Sequence, residues 1–117
     1  MPHIKCETSI EMTTSEKKAI LHRINDACFD SNLFITKEEI KSRFLSLETS
    51  LIGNGDNDEE FFSVTIEILS GRTPEQKIKL ASLISSSISL DKYSPLQISI
   101  NIVELEREFY LIRKVDN

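Results

Sequence analysis

The residues from Phe62 to Ile68 alternate strictly. Phe62, Val64, Ile66 and Ile68 are apolar, while Ser63, Thr65 and Glu67 between them are polar. Successive side chains of a strand point to opposite faces, so this pattern predicts a strand with one face buried and the other wet. A helix signal follows within five residues. Thr73 is a good N-cap, Pro74 suits the first helical position, and Gln76 closes a capping box. Leu80, Ala81, Ile84 and Ile88 then form one helical stripe. A second alternating run, Leu96, Ile98, Ile100 and Ile102, completes a strand–helix–strand unit.

The first half of the chain repeats this order. His3 to Thr8 alternates, with Ile4 and Cys6 on one face and Lys5 and Glu7 on the other. Thr13 and Glu16 form another capping box, followed by a stripe of Ile20, Leu21, Ile24, Ala27 and Cys28. Lys41 to Glu48 is expected to be a strand, and Ile52 to Glu60, with Gly53, Asn54 and Gly55, a polar turn. The sum is an α+β chain of βαβ-βαβ order, with pseudo-repeat halves at about 1–52 and 60–105 and a tail at 106–117. At 117 residues one domain, 1–117, is expected. In each half the two strands should pair in parallel through a right-handed crossover. Both helices can cover one face of a four-stranded sheet. The other face shows Lys5, Glu7, Ser63, Thr65, Glu67, Ser99 and Asn101, and can meet water or copies of itself. The tail, with Phe109, Tyr110, Leu111 and Ile112, is too short for a core of its own and is expected to pack on a neighbouring subunit.

Charge and composition narrow the function. Nineteen acidic residues against 14 Lys plus Arg leave a formal charge of −5, which disfavours nucleic acid and anionic membrane as partners. An anionic small ligand must be gripped by local cations against that field. There is no apolar run near 18 residues and no secretory pattern at the start, so the cytoplasm is the expected compartment. Cys6 and Cys28 then read as buried, reduced thiols.

Several chemistries fail on their residues. Asp56, Asp58 and Glu60 begin like a calcium loop, but Phe61 holds the sixth position, where glycine is needed. Gly53-Asn54-Gly55 lacks the Lys and Ser/Thr of a P-loop. His3 and His22 lack the spacing of a metal pair, so no metal site is expected.

Pro2, Lys41, Arg43 and Arg72 remain. Proline after Met1 invites removal of the initiator residue, which leaves a secondary amine at the chain end. While Met1 is attached, that nitrogen is an amide without basicity. A free α-amino group titrates nearer neutrality than lysine, and burial or nearby cations lower it further, toward a general base at working pH. Arg72 stands where strand gives way to helix. Its guanidinium can grip a carboxylate at two points, and the adjacent helix N-terminus favours the same anion. Lys41 and Arg43 lie two apart and share a strand face, as a second anchor or as charge stabilisation for an enolate. Each alone also fits an ordinary solvated cation.

Together they form a familiar pattern. The opening MPHI, the stretch IKSRF and the run VTIEILSGRTPEQKIKLASLI resemble the 5-carboxymethyl-2-hydroxymuconate isomerase family of the tautomerase superfamily. IKSRF is similar to that family's Ile-Arg-Ser-Arg-Val stretch. The longer run also looks like the opening of 4-oxalocrotonate tautomerase, with Phe62 where the terminal proline would stand. The spacing from Pro2 to Lys41 to Arg72 matches the family without gaps. The resemblance implies a homotrimer around the sheets and neither metal nor organic cofactor. It makes Pro2 the catalytic base and Arg72, Lys41 and Arg43 the binders of a small anionic substrate. Lys41 stands where the family has arginine, which keeps the charge and loses the planar fork. The implied reaction is enol–keto proton transfer on an unsaturated dicarboxylate such as 5-carboxymethyl-2-hydroxymuconate. A tautomerase for another enolisable keto acid, and a trimeric binding protein without catalysis, are the alternatives.

Overall fold

A computed structural model describes residues 1–116; Asn117, the last residue of the tail, lies outside them. The strands are β1 (His3–Thr8), β2 (Lys41–Phe44), β3 (Glu60–Leu69) and β4 (Leu96–Leu105), and the helices are α1 (Thr14–Asp30) and α2 (Pro74–Ser87). One mixed sheet has the order β2-β1-β3-β4. β1 pairs in parallel with β2 and β3 in parallel with β4, as the two βαβ units require. The halves meet in the middle, where β1 and β3 run antiparallel with Ile4 opposite Ile66 and Cys6 opposite Val64.

That register puts the apolar sets of both central strands on one face. Ile4, Cys6, Phe62, Val64, Ile66 and Ile68 are fully buried there. Ile20, Ile24 and Cys28 of α1 and Leu80 and Ile84 of α2 join the same cluster. Both helices therefore lie on the one face, since removing these side chains from water yields about 1.5–3 kcal/mol each. Both capping boxes are formed. The Thr13 and Thr73 hydroxyls accept from the amides of Glu16 and Gln76, whose side chains accept from the cap amides in return. Lys5, Glu7, Ser63, Thr65 and Glu67 on the opposite face are half-buried, and Ser99 and Asn101 are exposed. Among the described residues no helix is long and apolar enough to cross a membrane.

One expectation is revised. β2 ends at Phe44 rather than Glu48. It is an edge strand paired with β1 alone. The last bond across the pair runs from the Leu45 amide to the Cys6 carbonyl, and β1 itself ends at Thr8. The tail, for which packing on a neighbour is expected, also touches its own subunit at two points. Arg107 Nε donates to the Ser70 carbonyl at 2.9 Å, and the Tyr110 hydroxyl lies 3.1 Å from His3 Nε2. Phe109 and Leu111 beside those anchors stay exposed.

Both cysteines are free and buried, and burial pushes each thiol up to about 12. The thiolate is the reactive form. A disulfide-exchange dye should therefore label neither Cys6 nor Cys28 in the native protein and both after denaturation. Thr73→Ala removes one capping box and should lower stability by about 1 kcal/mol, as measured by urea unfolding.

Candidate active site at the chain start

Topology brings the sequence-predicted residues to one end of the sheet. In β1 and β2 that end is the beginning of the strand, and in β3 it is the finish. His3 is opposite both Lys41 and Glu67, and Arg72 lies three residues past the last residue of β3. The Lys41 amide donates to the Pro2 carbonyl at 3.1 Å, locking the chain start against β2. Pro2 is fully buried. The Met1 side chain is only 2% exposed, and its amine lies 4.0 Å from a Glu39 carboxylate oxygen. Burial holds that amine below its ordinary 8.0. Glu39 opposes the shift, while Lys41 and Arg72 add to it. Both cations thus act on the chain start, although 31 residues of sequence separate them from each other.

Arg72 is held tightly. Gly71, with φ of +121°, makes the turn out of β3 in a conformation that side chains rarely adopt. The Arg72 guanidinium then donates to the Leu69 carbonyl at 3.0 Å and to the Leu33 carbonyl at 3.2 Å. It also stacks 5.3 Å from the centre of the buried Phe34 ring. One arginine so pins the loop after α1 to the end of β3. Three of its five N–H donors remain for a ligand.

Arg43, expected as a second anchor, has a partner of its own. It lies 2.7 Å from His3 Nδ1. Arginine only donates, so Nδ1 accepts and the ring proton sits on Nε2, directed at the Tyr110 hydroxyl. Sequence reasoning passed over His3, Tyr110, Glu39 and Phe34. His3 alternates onto the polar face with Lys5, and that was the one signal available for it.

Among the described residues, no carboxylate lies within ion-pair distance of Lys41, Arg43 or Arg72, whereas Lys5, Lys37, Lys77 and Lys92 are all paired. In a chain of net charge −5, Lys41 and Arg72 both act on the chain-start amine without a carboxylate partner of their own. The arrangement suits an anion of two or more acidic groups beside a partly desolvated amine. No three His, Cys, Asp or Glu side chains among the described residues gather as a metal site. A hollow of about 540 Å³ opens at the opposite end of the sheet, lined by Glu11, Thr13, Lys17, Phe44 and Leu47. Its one cation, Lys17, sits over the Phe44 ring.

Comparison with known proteins places this architecture in the tautomerase class. A 5-carboxymethyl-2-hydroxymuconate isomerase from Deinococcus radiodurans R1 superposes with a TM-score of 0.83 at 15% identity, covering 97% of this chain and 90% of that one. A 5-carboxymethyl-2-hydroxymuconate delta-isomerase gives 0.80 at 13% identity, covering 98% and 89%. A fused 4-OT asymmetric trimer gives 0.75 at 14% identity, covering 94% and 91%. At these identities the likeness is one of fold. No curated protein matches the sequence. The family itself is settled by the profile of 5-carboxymethyl-2-hydroxymuconate isomerase, which matches residues 2–111. The chain belongs to that family of isomerases.

The His3 ring should titrate below its ordinary 6.5. Burial comes first among the causes, then the charges of Arg43 and Lys41, with Glu67 opposing. A base whose folded pKa is depressed adds stability above its unfolded pKa, and that part is lost as pH falls from 6.5 toward the folded value. An NMR titration should show a His3 midpoint under 6.5, moved upward by Arg43→Ala.

Proposed function

We propose that the protein catalyses enol–keto proton transfer on an unsaturated dicarboxylate such as 5-carboxymethyl-2-hydroxymuconate, with the Pro2 nitrogen as general base once Met1 has been removed. One observation carries this reading: the chain start is buried at the end of the sheet where Lys41 and Arg72 both depress its amine. With Met1 gone, the same surroundings act on the Pro2 nitrogen. Burial and two cations disfavour its protonated form, countering the higher basicity of a secondary amine. The result is a base neutral enough to accept a proton near working pH.

The steps balance without an oxidant or a metal. Pro2 takes the proton of the dienol hydroxyl, the electron pair moves along the conjugated chain, and Pro2 returns the proton to a carbon of that chain. The product is the unsaturated keto isomer. Arg72 and Lys41 hold the two carboxylates and offset the negative charge that develops between the proton transfers. Lys41 is a point charge without a planar fork, so one carboxylate is held less directionally than a guanidinium would hold it. That residue favours a second reading within the same class, a tautomerase acting on another enolisable keto acid.

The polar face of the sheet supports a homotrimer. Its centre is half-buried, Lys5 pairs with Glu67 at 3.1 Å, and a cyclic assembly can cover the rest. The fused 4-OT neighbour is described as a trimer. Light scattering should then give three times the chain mass.

Intact mass comes first, and it should show Met1 absent. Ketonisation of simple enols by this protein and by Pro2→Ala follows. The variant should lose about 10²–10⁴-fold in kcat, the usual contribution of general acid–base catalysis. Full activity with Met1 retained, or in the variant, defeats the assignment of Pro2. Inactivity of the processed wild type toward every enol leaves a binding protein of the same fold.

A further inference from the structure

We infer that Tyr110 is a further substrate-contacting residue, its hydroxyl donating a hydrogen bond to the reacting oxygen of the substrate. The inference rests on assigning the chain start as the substrate site and adds a donor which that assignment lacks.

The argument begins with Arg43. Its guanidinium meets His3 Nδ1 at 2.7 Å and can only donate, so that nitrogen must present a lone pair. A neutral imidazole then carries its proton on Nε2. Nε2 is 3.1 Å from the Tyr110 oxygen and therefore donates to it. A phenol that accepts through its oxygen keeps its own proton to give elsewhere. Among the described residues no acceptor for that proton is present. Tyr110 is half-buried, and its ring is held edge-on to His3 with centroids 6.3 Å apart. The donor is thus oriented by a chain of three residues from three separate segments: β2, β1 and the tail.

Its location gives the spare proton a use. His3 stands opposite Lys41 in the sheet, and the Lys41 charge and the chain-start amine both act on its ring, so the Tyr110 hydroxyl lies one hydrogen bond beyond a ring within the field of the proposed site. The substrate class has three oxygen-bearing groups, two carboxylates and the enol or keto oxygen. Arg72 and Lys41 account for the carboxylates. Arg43 spends one donor on His3. No other donor is assigned to the reacting oxygen, where negative charge grows as Pro2 removes the proton. A preoriented hydroxyl there is the arrangement that stabilises a developing oxyanion. Donation from Nε2 into the phenol oxygen also polarises the hydroxyl, as bonds in a chain strengthen one another. Tyr110 is a candidate catalytic residue in this scheme; His3 and Arg43 are positioning residues.

Two measurements test this on the full-length, processed protein. The first is calorimetric binding of adipate and 2-oxoadipate, dicarboxylates of equal length that differ by the keto oxygen. Wild type should prefer 2-oxoadipate by about tenfold, and Tyr110→Phe, which keeps the ring, should bind adipate unchanged and lose the preference. The second is kinetics on a simple enol. Tyr110→Phe should lower kcat by tenfold or more with KM within about twofold, and His3→Ala should lower kcat in the same direction. Equal affinity of wild type for the two acids, failure to bind either, parallel losses for both in Tyr110→Phe, or an unchanged kcat each overturns the inference. If wild type turns over no enol yet discriminates the two acids through Tyr110, the contact stands and the proposed reaction falls.

Discussion

The antiparallel pairing of β1 with β3 is the contact on which the remaining architecture depends. Each βαβ half has an apolar sheet face and an apolar helix stripe, and two strands with one helix are too few to close a core. Placing Ile4 against Ile66 and Cys6 against Val64 joins the two half-cores into one. A slip of one residue would turn a whole apolar set toward water, so the register is strongly specified. The same pairing is antiparallel, and therefore sets the beginning of β1 beside the finish of β3. Without it, Pro2 and Arg72 would not lie at the same end of the sheet.

The chain start shows how a negative protein can hold a cationic site. Arg72 is fixed by carbonyls and an aromatic ring instead of by carboxylates. Carbonyl partners orient a guanidinium without neutralising it, so its charge still acts on the neighbouring amine. Arg43 is fixed through the neutral nitrogen of His3 to the same effect. Structural bonding and available charge therefore coexist in single side chains. Removing either arginine would disturb the loop or strand it ties as well as the field it supplies.

Much of this was legible in the residues. The period of Phe62–Ile68, the threonine caps at 13 and 73, and the apolar stripes were all local signals, and each predicted element exists. Pro2, Lys41 and Arg72 were legible as a set through family resemblance, and the register accounts for their convergence. The end of β2 was not legible, because Leu45 and Leu47 continue the strand pattern while the end of its pairing with β1 is a tertiary event. The link of Tyr110 to His3 spans 107 residues and has no local signature.

Sequence alone thus determined the elements, their boundaries at the capped helices, the two-faced character of the sheet and the residues able to carry charge. These follow from backbone period and from side chains bonding within three or four residues. Tertiary structure decided which strands lie side by side, which arginine bonds to carbonyls and which to a histidine, and where the tail touches the sheet. Those outcomes depend on burying two apolar faces together, a free energy that no short segment possesses until its distant partner arrives.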